Sequence, residues 1–392
     1  MRAAVTHRVG ICLAAAIAGW LATIPAFAAD KLKIAVGQRE IWHGAPAALG
    51  ERAGIFRKHD LDLELLFTSG SGETMQAVIA GSVDIGVAAG TLGVMGAYAK
   101  GAPIRIIGAE STGEDSYRYV RADSPVKSMA DMKGRTMAYS TNGSSTHANA
   151  LAFVELYKVD AKLIATGGFP ATFTMVMSGQ IDAGWSAPPY AMEALRKGDI
   201  RVIVRSSELP LVKGHTIRVL VANKQSLDSK PDVYRRFMRA YRETVDWMYA
   251  SDEAPKIYAE FAKIGIEDAR RVREEFDPKE MVIPDRVVGL SELMPDAVKF
   301  KYLSQPLTAK ELEELVQIPR LSVDAFGRLS LRGAPAISGG PPARAWPRSR
   351  SSPTCASARP PGPRDRAPAR RRSRRWKARS DVQRAGAPRR AA

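Results

Sequence analysis

A seven-residue pattern occurs twice in this chain, ninety-eight positions apart: Ala80-Gly81-Ser82-Val83-Asp84-Ile85-Gly86 and Ser178-Gly179-Gln180-Ile181-Asp182-Ala183-Gly184. Each copy follows an apolar run with helical spacing, at 75–79 and 173–177, and each run follows a Gly-rich loop, at 69–72 and 167–170. Glycine tolerates the left-handed conformation that ends a helix, so Gly81 and Gly179 read as helix stops. The order loop, helix, stop, buried strand therefore recurs. Two such units predict two α/β lobes of similar build, and a ligand in the crevice between them would meet strand ends and helix starts from both sides.

Strand-like runs at 31–36, 61–67, 83–88 and 104–109 alternate with helical runs at 45–54, 72–80 and 91–100. That spacing predicts a mostly parallel, doubly wound sheet with helices on both faces. Residues 117–121 and 216–222 are taken as the two crossings between lobes, with hinge motion absorbed near 121–126 and 214–219. The second lobe then has strands at 136–139, 163–166, 181–185 and 200–204. Helices at 234–249, 254–263, 268–276 and 285–303 pack back on the first lobe. The expected organisation is a first lobe of 29–123 with 215–325, and a second lobe of 124–214.

The two ends differ from this body. Arg2 and Arg8 precede an uncharged, mostly apolar run at 9–24, then Pro25 and the small-x-small site Ala26-Phe27-Ala28. Residues 1–28 are expected to be a cleaved export signal, which places the protein in the periplasm. An uncleaved anchor is the competing reading, and the Pro25 break argues against it. From residue 331 onward seventeen basic residues face two acids, so +15 of the chain's net +17 lies there. Sixteen of the seventeen are Arg, in a Pro-, Ala- and Ser-rich context that cannot bury a core. Residues 326–392 are expected to be a disordered tail or a reading-frame artefact. A nucleic-acid- or membrane-binding arm is the alternative. The body itself is near neutral, and no nucleic-acid partner is expected. The two cysteines, Cys12 and Cys355, lie in these ends, which leaves the body without thiol chemistry or cysteine metal sites.

Candidate ligand-binding residues cluster in loops after strands. Ser140-Thr141-Asn142-Gly143-Ser144-Ser145-Thr146 opens an apolar helix, where free backbone N–H groups and hydroxyls can hold a polar or anionic oxygen. An ordinary N-cap is the plain alternative. Ser69, Gly70 and Ser71 are the matching element of the first lobe, with Glu73 favoured by the helix dipole. Gly90, Thr91 and Ser111 follow later strands of that lobe. Gln38 and Trp42 share the first strand–helix loop, and Trp185 with Ser186 ends the repeated strand. Arg39 and Arg218 are the cations best placed to meet an acid group, His43 and His147 could add hydrogen bonds, and Asp84 and Asp182 read as structural. The five histidines show no metal-ligand spacing, and neither a metal nor a cofactor is expected.

Three stretches carry a family resemblance: Ala53-Gly54-Ile55-Phe56-Arg57-Lys58-His59-Asp60-Leu61-Asp62-Leu63; Gln76 to Gly86; and Met132-Lys133-Gly134-Arg135-Thr136-Met137-Ala138-Tyr139-Ser140, followed by Asn142 to His147. They are similar to periplasmic solute-binding proteins of the sulfonate/nitrate/taurine/thiamine-precursor type. The resemblance implies a type II, hinge-closing, two-lobed fold without enzymatic activity. It also implies a small-molecule solute, weakly favoured as anionic and organic, and an ABC-type permease as partner. A monomer is expected. A same-fold enzyme of thiamine- or menaquinone-precursor synthesis and an extracytoplasmic sensor are the alternatives.

Overall fold

The computed structural model describes residues 29–319 apart from Asp115, and two short strands beyond them at Ser322–Val323 and Leu329–Ser330. The export-signal reading of 1–28 and the tail reading from 331 onward lie outside the described residues. In the first lobe β1 (Asp30–Gly37), β2 (Leu61–Thr68), β3 (Ile85–Gly90) and β4 (Ile104–Thr112) form one sheet with β10 (Thr216–Asn223), in the order β2-β1-β3-β10-β4. β10 runs antiparallel to both of its neighbours, while β1 pairs in parallel with β2 and β3.

The second lobe comprises β5 (Tyr117–Arg121), β6 (Thr136–Tyr139), β7 (Lys162–Ala165), β8 (Gly184–Ser186) and β9 (Ile200–Arg205). β8-β5-β9 and β6-β7 pair separately, and a parallel bridge from Met137 to Ala183 joins them. The resulting order, β7-β6-β8-β5-β9, matches the first lobe position for position, with β5 as the antiparallel insert. The chain is α/β with two lobes, as the repeat implied.

The repeat extends to individual bonds. The helices concerned are α1 (Pro46–Arg52), α2 (Ile55–Lys58), α3 (Ser71–Ile79), α4 (Thr91–Ala99), α5 (Ser145–Tyr157) and α6 (Phe169–Met177). After α3, Gly81 turns at φ +70° and donates to Val78; after α6, Gly179 turns at φ +74° and donates to Val176. Asp84 then accepts from the backbone of Lys33 in β1 at 2.9 Å, and Asp182 accepts from the backbone of Thr136 in β6 at 2.9 Å. Each aspartate thus ties the foot of the repeated strand to the central strand beside it. Burial opposes ionisation of Asp182, but the Thr136 bonds and Arg135 outweigh it and hold its pKa below the ordinary 3.8.

Three expectations need correction. Residues 117–121 and 216–222 are not crossings; they are β5 and β10, hydrogen-bonded inside the second and first sheets respectively. The first crossing is the short stretch 113–116, and the second runs through 206–215. The lobe boundaries therefore fall near 113–116 and 206–215, ahead of 123 and at or ahead of 214, because the returning chain enters each sheet as an antiparallel strand at once. The expected helix at 285–303 reduces to Met294–Lys299, since Gly289 turns at φ +80° and Pro295 suits only a helix's first turn. The helix Pro231–Ala250 does form, and buries Val233, Phe237, Tyr241, Thr244 and Met248 along one face.

Replacing Asp182 by Ala should cost about 1 kcal/mol, because the group is part-exposed and its bonds are partly matched by water. A lower urea midpoint would show it. In the native chain the same contribution should be present above pH 3.8 and fade as the pH falls below it, the direction for a depressed carboxyl.

Candidate functional site

The two Ser/Gly turns face each other across one seam. The backbone N–H of Gly72 donates to Thr141 Oγ1 at 2.9 Å. A Cβ placed on Gly70 would lie 3.1 Å from Thr141 Oγ1. Next to them the start of α4 meets the loop before α5. A Cβ on Gly93 would lie 2.1 Å from the carbonyl oxygen of Gly143, and one on Gly90 2.6 Å from the Ser145 nitrogen. Only glycine permits this backbone-to-backbone approach.

Most hydroxyls at the seam are spent on the chain itself. Ser71 donates to Ala88 and accepts from the Gly90 N–H at 2.6 Å, tying α3 to the end of β3. Thr146 Oγ1 accepts from the Ser140 N–H at 2.9 Å and shares hydrogen bonds with Ser140 and Ser144, and Ser144 caps α5 through the His147 N–H. Asn142 accepts from the Tyr139 hydroxyl, Thr91 donates to Thr216, Ser111 to Gly113 and Ser186 to Tyr190. Ser69 is bound to Glu73, and Gln38, at φ +66°, donates to Ser69.

The two tryptophans differ. Trp42 is fully buried in the first lobe, donates to Tyr249 at 2.9 Å and meets Tyr258 edge-on at 4.8 Å. Its ring packs in a buried cluster with Ala45, Leu49, Met248 and, from the second lobe, Met192. Trp185 is buried in the second lobe, 4.6 Å from Phe169, and its Nε1–H has no hydrogen-bond partner among the described residues. Of the weaker candidates, Arg39 lies over Phe67 and Phe261, and His147 stacks on Tyr139 at 4.4 Å, with burial lowering its pKa.

The strongest charges at the seam gather round Arg218 and His43 and include Glu110, Glu114, Arg118 and Asp277, which the sequence analysis did not mark. Arg218, buried on β10, donates to Ser145 Oγ of the second lobe at 3.0 Å, to Glu114 of the first crossing and to His43 Nε2 at 2.7 Å. A guanidinium cannot accept, so His43 Nε2 is the acceptor and its proton sits on Nδ1, given to Asp277 at 2.7 Å. Glu114 also accepts from Asn149 on α5 at 2.5 Å. Burial works against its ionisation, but Arg218, Asn149 and Ser116 outweigh that and hold its pKa below the ordinary range. Burial pushes the Glu110 carboxyl up, with His43 and Arg218 opposing; neither of its oxygens has a hydrogen-bond partner among the described residues. Arg118, on β5 beneath α5, donates to the Thr146 carbonyl, and burial pushes its pKa down to about 10. The available signal was a charge set in an otherwise apolar strand, as with Glu110 after 104–109 and Arg118 between Tyr117 and Tyr119.

The lobes touch closely here: between α4, α5 and residues 211–217 lies a void of about 10 Å³, bordered by Thr91, Ser144, Ser145 and Asn149. A larger hollow of about 320 Å³ opens where the crossings meet, with Glu114, Lys213, Phe276 and Met281 among its walls.

With this geometry in hand, the NMT1/THI5-like family description matches residues 44–254, more than half of the chain. The chain belongs to the NMT1/THI5-like family. A Haemophilus influenzae protein named for thiamine biosynthesis is 23% identical over 237 residues, 60% of this chain and 74% of that protein. Among solved structures, a Bordetella bronchiseptica protein aligns over 74% of this chain and 94% of its own, at TM-score 0.62 and 23% identity. The alkanesulfonate-binding protein SsuA of Xanthomonas axonopodis pv. citri, bound to MOPS, aligns over 74% and 98% at TM-score 0.60 and 17% identity. The desulfurization enzyme DSZB aligns over 74% and 96% at TM-score 0.55 and 16% identity. The family's fold thus carries proteins named as binders and one named as an enzyme, and this chain shares that fold. Among the described residues no helix is long and apolar enough to cross a membrane.

Breaking the central pair by Arg218→Ala should leave Glu114 buried and uncompensated, at a cost of about 3–5 kcal/mol in a chemical denaturation curve. Gly93→Ala should fold normally but hold the lobes apart, because the new methyl falls on the Gly143 carbonyl. Small-angle scattering should report a larger radius of gyration than for the native chain.

Proposed function

We propose that this chain is an extracytoplasmic solute-binding receptor that closes its two lobes around a small organic solute and presents it to an ABC-type permease. The observation that carries this reading is the meeting, across one seam, of two sheets of the same strand order, with α3 and α5 both starting there. A solute would replace the direct Gly72–Thr141 bond by contacts to helix-start N–H groups of both lobes, and so favours a closed state by bridging that the open state lacks. The solute is a small organic anion, and residues 1–28 export the chain to the periplasm, where it acts as a monomer. Arg218 already answers Glu114, so the solute's charge draws mainly on backbone N–H groups and on Ser140, Ser144 and Ser145. The name of the alkanesulfonate-binding relative supports this reading.

A second reading, an enzyme on the same scaffold, draws on His43 and Asp277, an imidazole oriented by a carboxylate. Its Nε2 lone pair already accepts from Arg218, so it takes no substrate proton there.

Thermal shift of the chain against alkanesulfonates, carboxylates, nitrate and aminopyrimidines tests the proposal. One class should raise the melting temperature saturably. At a hundredfold excess over Kd the stabilisation is about 2.7 kcal/mol, a shift of roughly 4–5 °C for a body of this size. No product should form; turnover of the stabilising compound would favour the enzyme.

A further inference from the structure

Among the described residues, Glu110 is the carboxyl near Arg218 that no donor answers. It stands on β4 with its side chain wholly withdrawn from solvent, and neither oxygen accepts a hydrogen bond. His43 Nε2 lies 3.7 Å from its Oε1. That nitrogen has no proton to give, because it accepts from Arg218 at 2.7 Å while the ring's proton goes from Nδ1 to Asp277. Arg218 already donates to Glu114, Ser145 and His43. On the helix Pro231–Ala250 the Tyr241 hydroxyl is buried and also unpartnered among the described residues, and Glu110 is the charge that acts on it.

The charges around Glu110 do not balance if it is ionised. Glu110, Glu114 and Asp277 would then be three carboxylates against one guanidinium and a neutral imidazole. A buried carboxylate without hydrogen bonds is costly, and burial favours its neutral form. A protonated Glu110 removes the excess. Arg218 is then left to Glu114, and His43 to Asp277. Burial indeed raises the Glu110 pKa; His43 and Arg218 oppose the rise, while Asp277 and Glu114 add to it.

We infer that Glu110 holds a proton in this arrangement of the lobes, and that losing the proton loosens them. An ionised Glu110 competes with Ser145 and Glu114 for Arg218, and the Arg218–Ser145 bond is one that crosses to the second lobe. The proton therefore acts as a ligand of the clasp, whatever solute the crevice takes. Because the folded group titrates above its unfolded counterpart, its contribution is complete below pH 4.5 and is lost as the pH rises through the folded value.

Infrared titration of the native chain and Glu110→Gln in deuterated buffer tests this. A protonated-carboxyl band, missing from Glu110→Gln, should persist well above pH 4.5, where an ordinary glutamic acid is ionised. As that band fades, small-angle scattering should show the native radius of gyration growing, while Glu110→Gln, neutral at every pH, stays compact. The native urea midpoint should fall relative to that of Glu110→Gln over the same range. Absence of the band above pH 4.5 overturns the inference. So does a doubly protonated His43 in nitrogen-15 spectra of the native chain, a measurement that needs no variant to fold. A band that titrates with no change in scattering overturns the coupling to the lobes.

Discussion

The buried pair of Arg218 and Glu114 is what the arrangement of the two lobes rests on. Arg218 stands on the first lobe's inserted strand, and Glu114 on the first crossing. Through Ser145 and Asn149 the pair reaches the start of α5 in the second lobe. Two opposite charges removed from water are tolerated only when each is met by its partner and by further hydrogen bonds. Here His43, Ser145, Asn149 and Ser116 supply those bonds, and Asp277 fixes the tautomer of His43. The network can be complete only when both lobes are in place. Closure is thus written into electrostatics as well as shape.

Shape supplies the second restraint. The approach of Gly93 to Gly143 sets how near the lobes can come, while the Gly72–Thr141 bond aligns the two turns. Polar side chains at this seam are mostly satisfied from within, by Ser71 on Gly90 and by Thr146 among Ser140 and Ser144. This arrangement is therefore a well-bonded state rather than a collapsed one, and a solute of the kind proposed would have to offer contacts at least as good as those it interrupts.

Much of this was legible in the residues alone. The twofold pattern at 80–86 and 178–184 pointed to matched lobes because glycine stops and buried strand starts are local properties, and Asp84 and Asp182 could be read as structural for the same reason. The turns at 69–72 and 140–146 were readable as facing elements because each sits between a strand and a helix. What could not be read was long-range. Glu110, Glu114 and Asp277 gain their meaning from Arg218 and His43, and no local motif joins positions that far apart. Trp42 looked available because it lies in a loop, yet its neighbours, Tyr249 and Tyr258, are more than two hundred positions away. β5 and β10 were mistaken for crossings because an antiparallel insert has the same composition as a connecting strand.

The shortness of the first crossing has a mechanical consequence. Every sheet hydrogen bond belongs wholly to one lobe, so each lobe can swing as a rigid body while its ladders stay intact. A rotation between the lobes would fall on the torsions at Gly113, Glu114 and Ser116 and along 206–215, and Glu114 lies within the first of these stretches. A change of angle between the lobes must therefore move the carboxylate that Arg218 holds, which couples the position of the axis to the strength of the clasp.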